Sequence, residues 1–338
     1  MKTKLLIPLI LLLVLVTGAS AMAEKKTLYN GIITRRYANS TTSVYDAMYK
    51  DGKDAQANGK VVKVLNPGAK IEITATHPGW VEIKVGSGVG YVLRHRIDVT
   101  DNPSPGVTPD YPITPMPYYA VIDRDVEVKA AMDESSETLS LLTDGARVAI
   151  EGFQDGWAVV IHKRVYGYIN TNDLSEIYPV ASNEQSGDSE TPISVFCSFY
   201  NDNPDRIVNL ARCCYFISRV LKPGETLNFN NLVSPFSAAN GYRLAPVLVD
   251  GETKSGYGGG SCQVSSTLWD ALLQLPGITT LHRNPHGDNA ASYLPHGLDA
   301  ASGTATQNLI VRNDYDFPIR IDASTHDLVL FVAIYKEM

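Results

Sequence analysis

The chain has 338 residues, 44% of them hydrophobic and 19% charged, with a formal net charge of −7. That length predicts two or three domains rather than one, and the composition is that of a globular protein. The acidic balance argues against a nucleic-acid partner, because phosphate binding needs a basic surface.

The chain opens like a secretory signal. Lys2 and Lys4 precede an apolar run from Leu5 to Val16, and Ala21-Met22-Ala23 is a small-x-small cleavage pattern before Glu24. The apolar run is short for a membrane span, which needs about 20 residues. An exported mature chain from about Glu24 is therefore expected, with membrane attachment only if the segment (residues 1–23) stays uncleaved. The four cysteines, Cys197, Cys213, Cys214 and Cys262, are too few for a disulfide scaffold and lack zinc spacing. Neither a metal site nor a cofactor is expected.

The next region contains a repeat. Gly68-Ala69-Lys70-Ile71-Glu72-Ile73 recurs as Gly145-Ala146-Arg147-Val148-Ala149-Ile150, Gly79-Trp80-Val81 as Gly156-Trp157-Ala158, and Gly90-Tyr91-Val92 as Gly167-Tyr168-Ile169, each offset by 77 positions. A constant offset across three landmarks signals duplicated modules. Within each copy, short alternating runs such as Val81 to Val85 read as half-buried strands between turn residues. Short strands at this spacing suggest a small barrel or sandwich. The pattern resembles bacterial Src-homology-3-like (SH3-like) domains over residues 34–100 and 118–178. That resemblance implies two small all-β barrels that bind peptidoglycan or position a second domain against the wall. Trp80 and Trp157 read as core packing. A proline-rich linker, residues 101–117, joins the copies, and a polar linker, residues 181–191, follows them.

From Pro192 the pattern changes to α+β. Ile207, Leu210, Ala211, Cys214, Ile217 and Leu221 form an apolar stripe on a helix expected over Asp205 to Leu221, capped by Asp202 or Asn203. Arg206, Asn209 and Cys213 share a neighbouring face. Val247 to Val249 reads as a strand. Then comes Tyr257-Gly258-Gly259-Gly260-Ser261-Cys262-Gln263, leading into a helix from Val264 to Leu275. This puts Cys262 near a helix N-terminus, where the dipole favours thiolate. Strands are expected over residues 278–281, 290–294, 307–311, 319–323 and 328–335. One or two helices followed by strands predict helices on one side of a mostly antiparallel sheet.

This region, residues 192–338, resembles the VanW domain family, named after an accessory protein of B-type vancomycin-resistance clusters. The matching pieces are Arg206 and Asn209, Pro223-Gly224-Glu225, Phe229-Asn230, Gly241-Tyr242, the run from Gly258 to Leu268, Arg283 with His286, and Tyr293-Leu294-Pro295 with Asp299-Ala300. Leu227, Ser266 and the Cys213-Cys214 pair depart from the family pattern. The resemblance implies export and a cell-envelope role, with peptidoglycan or a cell-wall peptide as partner.

Two functions follow. In the first, Gly258, Gly259, Gly260, Gln263 and the helix start, with Arg206, Asn209 and Tyr293, bind a carboxylate such as a stem-peptide terminus. In the second, Cys262 is the nucleophile of an acyl transferase or hydrolase, His286 its base and Asp299 the orienter, with Gln263 and the loop N–H groups as oxyanion donors. A third reading pairs Cys213 with Cys262 as a disulfide. Each site residue also has a purely structural reading.

Overall fold

A computed structural model of the chain describes residues 27, 29–33, 41–48, 59–77, 80–93, 96–99, 116–181, 188–249, 252–286, 291–295 and 298–338. The signal-like segment and most of both linkers lie outside the described residues.

The first repeat comprises β1 (Tyr29–Ile33), β2 (Thr42–Tyr45), β3 (Val61–Leu65), β4 (Lys70–His77), β5 (Trp80–Val85), β6 (Gly88–Leu93) and β7 (Ile97–Val99) in one antiparallel sheet of order β3-β2-β6-β5-β4-β1-β7. The second comprises β8 (Tyr118–Val121), β9 (Val126–Lys129), β10 (Thr138–Leu142), β11 (Arg147–Ile150), β12 (Gly152–Gln154), β13 (Trp157–His162), β14 (Val165–Asn170) and β15 (Glu176–Pro179). Its strands form two sheets, β10-β9-β14-β13-β12 and β11-β8-β15.

The duplication is structural. Trp80 pairs with Leu93 and Ile83 with Gly90; the residues 77 positions on pair identically, Trp157 with Asn170 and Val160 with Gly167. The turn before β4 repeats as well: Ala69 N–H donates to Asn66 O and Ala146 N–H to Thr143 O, both at 3.0 Å. Trp80 and Trp157 are buried, as expected of core residues. The sheets of both copies are open, and no closed barrel is present among the described residues. What holds of the expected architecture is the antiparallel all-β construction of each copy.

The C-terminal part comprises β16 (Pro192–Phe199), α1 (Pro204–Ile217), β17 (Arg219–Leu221), β18 (Thr226–Asn228), α2 (Phe229–Val233), β19 (Leu244–Val249), β20 (Glu252–Tyr257), α3 (Ser261–Leu273), β21 (Ile278–Arg283), β22 (Leu309–Asn313), β23 (Ile319–His326) and β24 (Val329–Lys336). A four-stranded sheet, β16-β24-β23-β17, is its backbone, with β18-β22-β21 and the β19-β20 ribbon beside it. The strands pair antiparallel.

One face of the four-stranded sheet carries helices. Ser194 Oγ donates to Ala271 O at 2.8 Å, and Ser198 Oγ lies 2.7 Å from Thr267 Oγ1, both on α3. The other face carries the second repeat. Ala149 N–H points at Cys197 Sγ at 3.3 Å, and the Arg147 guanidinium sits over the Phe331 ring while bonding Asp322 and Ser324. Both faces being covered, every residue of β16 is buried, and the alternation that marks a half-exposed strand disappears. The second repeat and the C-terminal part thus share one core, whereas the first repeat closes a core of its own around Ile33, Val44, Ile73 and Ile83.

Two expected elements differ. Helix α1 stops at Ile217, not Leu221, because Ser218 turns extended, its N–H and hydroxyl both bond Cys214 O, and the chain enters β17 beside β23. Asn203 is its N-cap, accepting from Arg206 N–H at 2.9 Å. Residues 291–294 are not a strand. The backbone there meets a guanidinium instead of another strand: Arg164 donates from Nη2 to Ala291 O at 2.9 Å.

Candidate active site

Helix α3 begins abruptly. Gly260 is its N-cap with φ +112, a conformation that favours glycine. The preceding Gly259 lies so close to Pro246 that a Cβ would sit 2.5 Å from its carbonyl oxygen. Cys262 is therefore the second residue of the helix, held by tight backbone packing beneath it. One turn on, Ser266 Oγ donates to Cys262 O at 2.6 Å and accepts from Ala300 N–H at 2.8 Å. That ties the run Asp299 to Ser302 along the same face of α3.

The Asp299 run is fixed from its other side by the end of β21. Ala301 N–H donates to Asn284 O at 2.7 Å, and Arg283 Nε donates to Asp299 O at 2.6 Å. His286 follows three residues after Arg283. Its Nδ1 lies 2.8 Å from Asp299 Oδ2, and its backbone N–H donates to the same oxygen at 2.6 Å. Arg283 Nη2 meets Asp299 Oδ1 at 3.3 Å. With Nδ1 engaged by the carboxylate, the imidazole is also near enough to Cys262 for each group to shift the other's titration. Ser302 N–H completes the sulfur's surroundings at 3.4 Å.

The electrostatics favour an ion pair. Burial alone would raise the Cys262 thiol, but the hydrogen bond and charge of His286 and the donors of Ser302 outweigh it and bring it below the ordinary thiol value. Burial likewise opposes charge on His286, yet the bonds to Asp299 and Cys262 lift it to about 9. Burial also opposes charge on Asp299; the imidazole and Arg283 prevail and hold it below the usual carboxylate range. These shifts favour a thiolate–imidazolium pair, with the carboxylate fixing the ring.

Of the residues singled out from sequence, Cys262, His286 and Asp299 come together. Arg206 is beside them: its stem passes 3.3 Å from where a Gly260 Cβ would be, and Nη2 donates to Gln263 Oε1 at 2.9 Å. Gln263 is occupied at both ends, since Nε2 donates to Ser198 Oγ at 3.0 Å and Phe199 O at 3.1 Å. Its amide therefore braces α3 against α1 and β16, with no donor turned toward the sulfur. Asn209 is a bracket of the same kind: Nδ2 donates to Gly259 O at 3.1 Å and Arg243 O at 3.0 Å, and Oδ1 accepts from Arg243 N–H at 2.7 Å. The carbonyls of Gly258 and Gly260 accept from Ser261 and Gln263 N–H. Cys213 lies in the core, 3.6 Å from Tyr242 Oη, with burial pushing its thiol up to about 12. It and Cys262 are both free thiols, which removes the disulfide reading. Tyr293 packs half-buried against the core with its hydroxyl enclosed.

Ser302 and Arg283 had been given no role from sequence. Arg283 sits three residues before His286, which is a usable signal in retrospect. Ser302 carries none, because its place beside the sulfur is set by the Asn284–Ala301 bridge. His282, four residues before His286, is exposed and lies 3.4 Å from Thr306 O.

An imidazole held between a thiol and a carboxylate defines a thiol-centred site. Residues 205–335 match the family model described as VanW like protein, so the C-terminal part carries a VanW-like domain. The chain is 32% identical over 163 residues to the uncharacterized protein YoaR of Bacillus subtilis (strain 168), covering 47% of this chain and 53% of that protein. It is 28% identical over 170 residues to the vancomycin B-type resistance protein VanW of Enterococcus faecalis (strain ATCC 700802 / V583), covering 45% of this chain and 60% of that one. The chain thus spans little more than half the length of these relatives. Superposition on NlpC2 from Trichomonas vaginalis covers 93% of this chain and 99% of that one, at 11% identity and a TM-score of 0.19, too low to bear on the fold. Among the described residues, no helix is long and apolar enough to cross a membrane.

Proposed function

We propose that the chain is a cysteine-dependent acyl transferase or hydrolase of the cell envelope, acting on peptidoglycan stem peptides. The observation that carries this is the His286 ring, bonded to Asp299 through Nδ1 at 2.8 Å and close enough to Cys262 for the two to shift each other's titration. The thiolate attacks a carbonyl, and His286 returns a proton to the leaving amine. Asp299 keeps the ring oriented and stabilises the imidazolium. The envelope assignment draws on the VanW-like domain and on a relative named for vancomycin resistance. The reading as a pure carboxylate-binding loop has less behind it, because the loop's carbonyls are already bonded and the Gly259 backbone is packed against Pro246.

Incubation of the exported chain with purified sacculi, followed by muropeptide analysis, tests the proposal. Altered stem peptides or crosslinks that vanish in Cys262→Ala are expected; binding with unchanged muropeptides would leave a recognition module. The pH profile is a second check. The thiolate is lost as pH falls through the lowered Cys262 value, and the imidazolium is lost as pH rises through about 9. Turnover should therefore be bell-shaped with its alkaline limb near 9.

A further inference from the structure

Thiolate attack on a carbonyl moves negative charge from sulfur to an oxygen about 3 Å away, and hydrogen-bond donors must meet it there. The Gln263 amide is spent on Ser198 and Phe199. Ser261 N–H donates to Gly258 O, and Gln263 N–H to Gly260 O. Between those two, the Cys262 N–H has no acceptor among the described residues, and no side chain caps the helix start. As the second N–H of α3 it points out of the helix N-terminus, at the positive end of the dipole. A helical Cα–Cβ bond tilts toward the same end, so the sulfur and its own N–H face one region.

A second donor already touches the sulfur. The Ser302 hydroxyl donates to Cys262 Sγ at 3.7 Å, and the Ser302 N–H does so at 3.4 Å. The backbone around Ser302 is held on both sides. Ala301 N–H bonds Asn284 O at 2.7 Å, and Gly303 N–H bonds Asn230 Oδ1 at 2.8 Å. Ser265 Oγ meets the hydroxyl from α3 at 3.2 Å while holding Ala300 O at 2.6 Å. With the backbone fixed, the hydroxyl proton is the part free to turn. Its bond to sulfur is long, and it weakens further once sulfur gives up its charge. An oxyanion formed beside the sulfur is then the stronger acceptor. Ser302 is 7% exposed, whereas Cys262 is partly open to solvent. The hydroxyl thus works from the enclosed side of the sulfur, where a donor counts most.

We infer that the oxyanion formed at Cys262 is received by the Cys262 N–H and the Ser302 hydroxyl, which makes Ser302 a catalytic residue; this rests on Cys262 being the nucleophile. The sulfur–carbon bond forms as the carbonyl π pair moves onto oxygen. That oxygen accepts the Cys262 N–H and the Ser302 O–H. The pair then returns to re-form the carbonyl, the bond to the leaving group breaks, and the leaving group takes its proton from His286.

The test compares two probes of Cys262 in the full chain, each read on its pH plateau with Cys262→Ala as the blank. p-Nitrophenyl acetate acylates through a tetrahedral oxyanion; iodoacetamide alkylates by direct displacement and forms none. In Ser302→Ala, acylation is expected to slow about 10- to 1000-fold while alkylation stays within about threefold. The alanine deletes one oxygen and leaves Ser265 its bond to Ala300 O, so the fold survives it. Ser302→Thr, which keeps the hydroxyl, should restore much of the acylation. A Ser302 that only tunes the thiolate would move the acidic limb of both probes and leave their plateau ratio unchanged, and that result overturns its catalytic role. The acylation left in Ser302→Ala belongs to the backbone donor and should exceed that of a free thiol of matched acidity; a fall to the free-thiol rate removes the Cys262 N–H from the assignment. If wild-type Cys262 is alkylated no faster than a model thiol, the nucleophile reading itself fails; fast alkylation with an unmoved ratio sinks only the role of Ser302.

Discussion

In the first repeat the turn between β5 and β6 is Gly86-Ser87; 77 positions on, the second repeat has Lys163-Arg164. Gly86 and Lys163 share the same left-handed backbone, with φ +60 and +57. For lysine this conformation costs about 1 kcal/mol. Lys163 Nζ bonds Asn201 Oδ1 at 3.1 Å and Arg164 clasps Ala291 O. The same substitution pattern recurs on the sheet: exposed Lys70 and Glu72 correspond to Arg147, paired with Asp322, and to buried Ala149. One module plan is thus used twice, once with a solvated face and once with a face fitted to the C-terminal domain. Position along the chain does not decide which residues are core; the surface a copy is pressed against does.

Exchanging residues between the copies breaks this contrast. The largest effect is expected from Ala149→Glu, which puts the first repeat's charge against Cys197. An uncompensated buried charge should cost on the order of 3 to 5 kcal/mol, read as loss of the transition shared by the second repeat and the C-terminal domain. Next come Ile83→Ala and Val160→Ala, equivalent core positions, at about 2 to 4 kcal/mol each. Calorimetry should show the first lowering only a transition of the first repeat, and the second lowering the joint one. Arg147→Lys installs the other copy's residue and forfeits the fork to Asp322 and Ser324 and the stack on Phe331, at about 1 kcal/mol in denaturant titration. Arg164→Ser, which gives up the bond to Ala291 O, should change stability by less than about 1 kcal/mol in the same titration.

Much of the fold was legible. The landmarks Gly-Ala-x-φ, Gly-Trp and Gly-Tyr announced the duplication because each is a local turn or strand signal. Helix α1 showed its cap, its proline and its stripe. Strand β16 was not readable: with both faces covered, Pro192 to Phe199 loses the alternation that marks a strand. Only the end of β19, Val247 to Val249, was expected as a strand and β20 was not read, since a two-stranded ribbon with Leu244 and Tyr257 exposed has no clear apolar face. Gln263 looked available beside the cysteine, and only the packing of α1 and β16 around it shows both ends of its amide engaged.

The sequence alone determined the repeat, the glycine-bound start of α3 and the order cysteine, histidine, aspartate, because turn chemistry, helix periodicity and motif spacing are local properties. Tertiary structure decided that Asp299 engages His286 through both its ring and its backbone, that Arg283 joins them, and that the second repeat reaches the segment of Tyr293. Those contacts join residues 13 to 127 positions apart. No local periodicity encodes such separations; the packing of α3 against the Asp299–Ser302 run, and of the sheet between two layers, sets them.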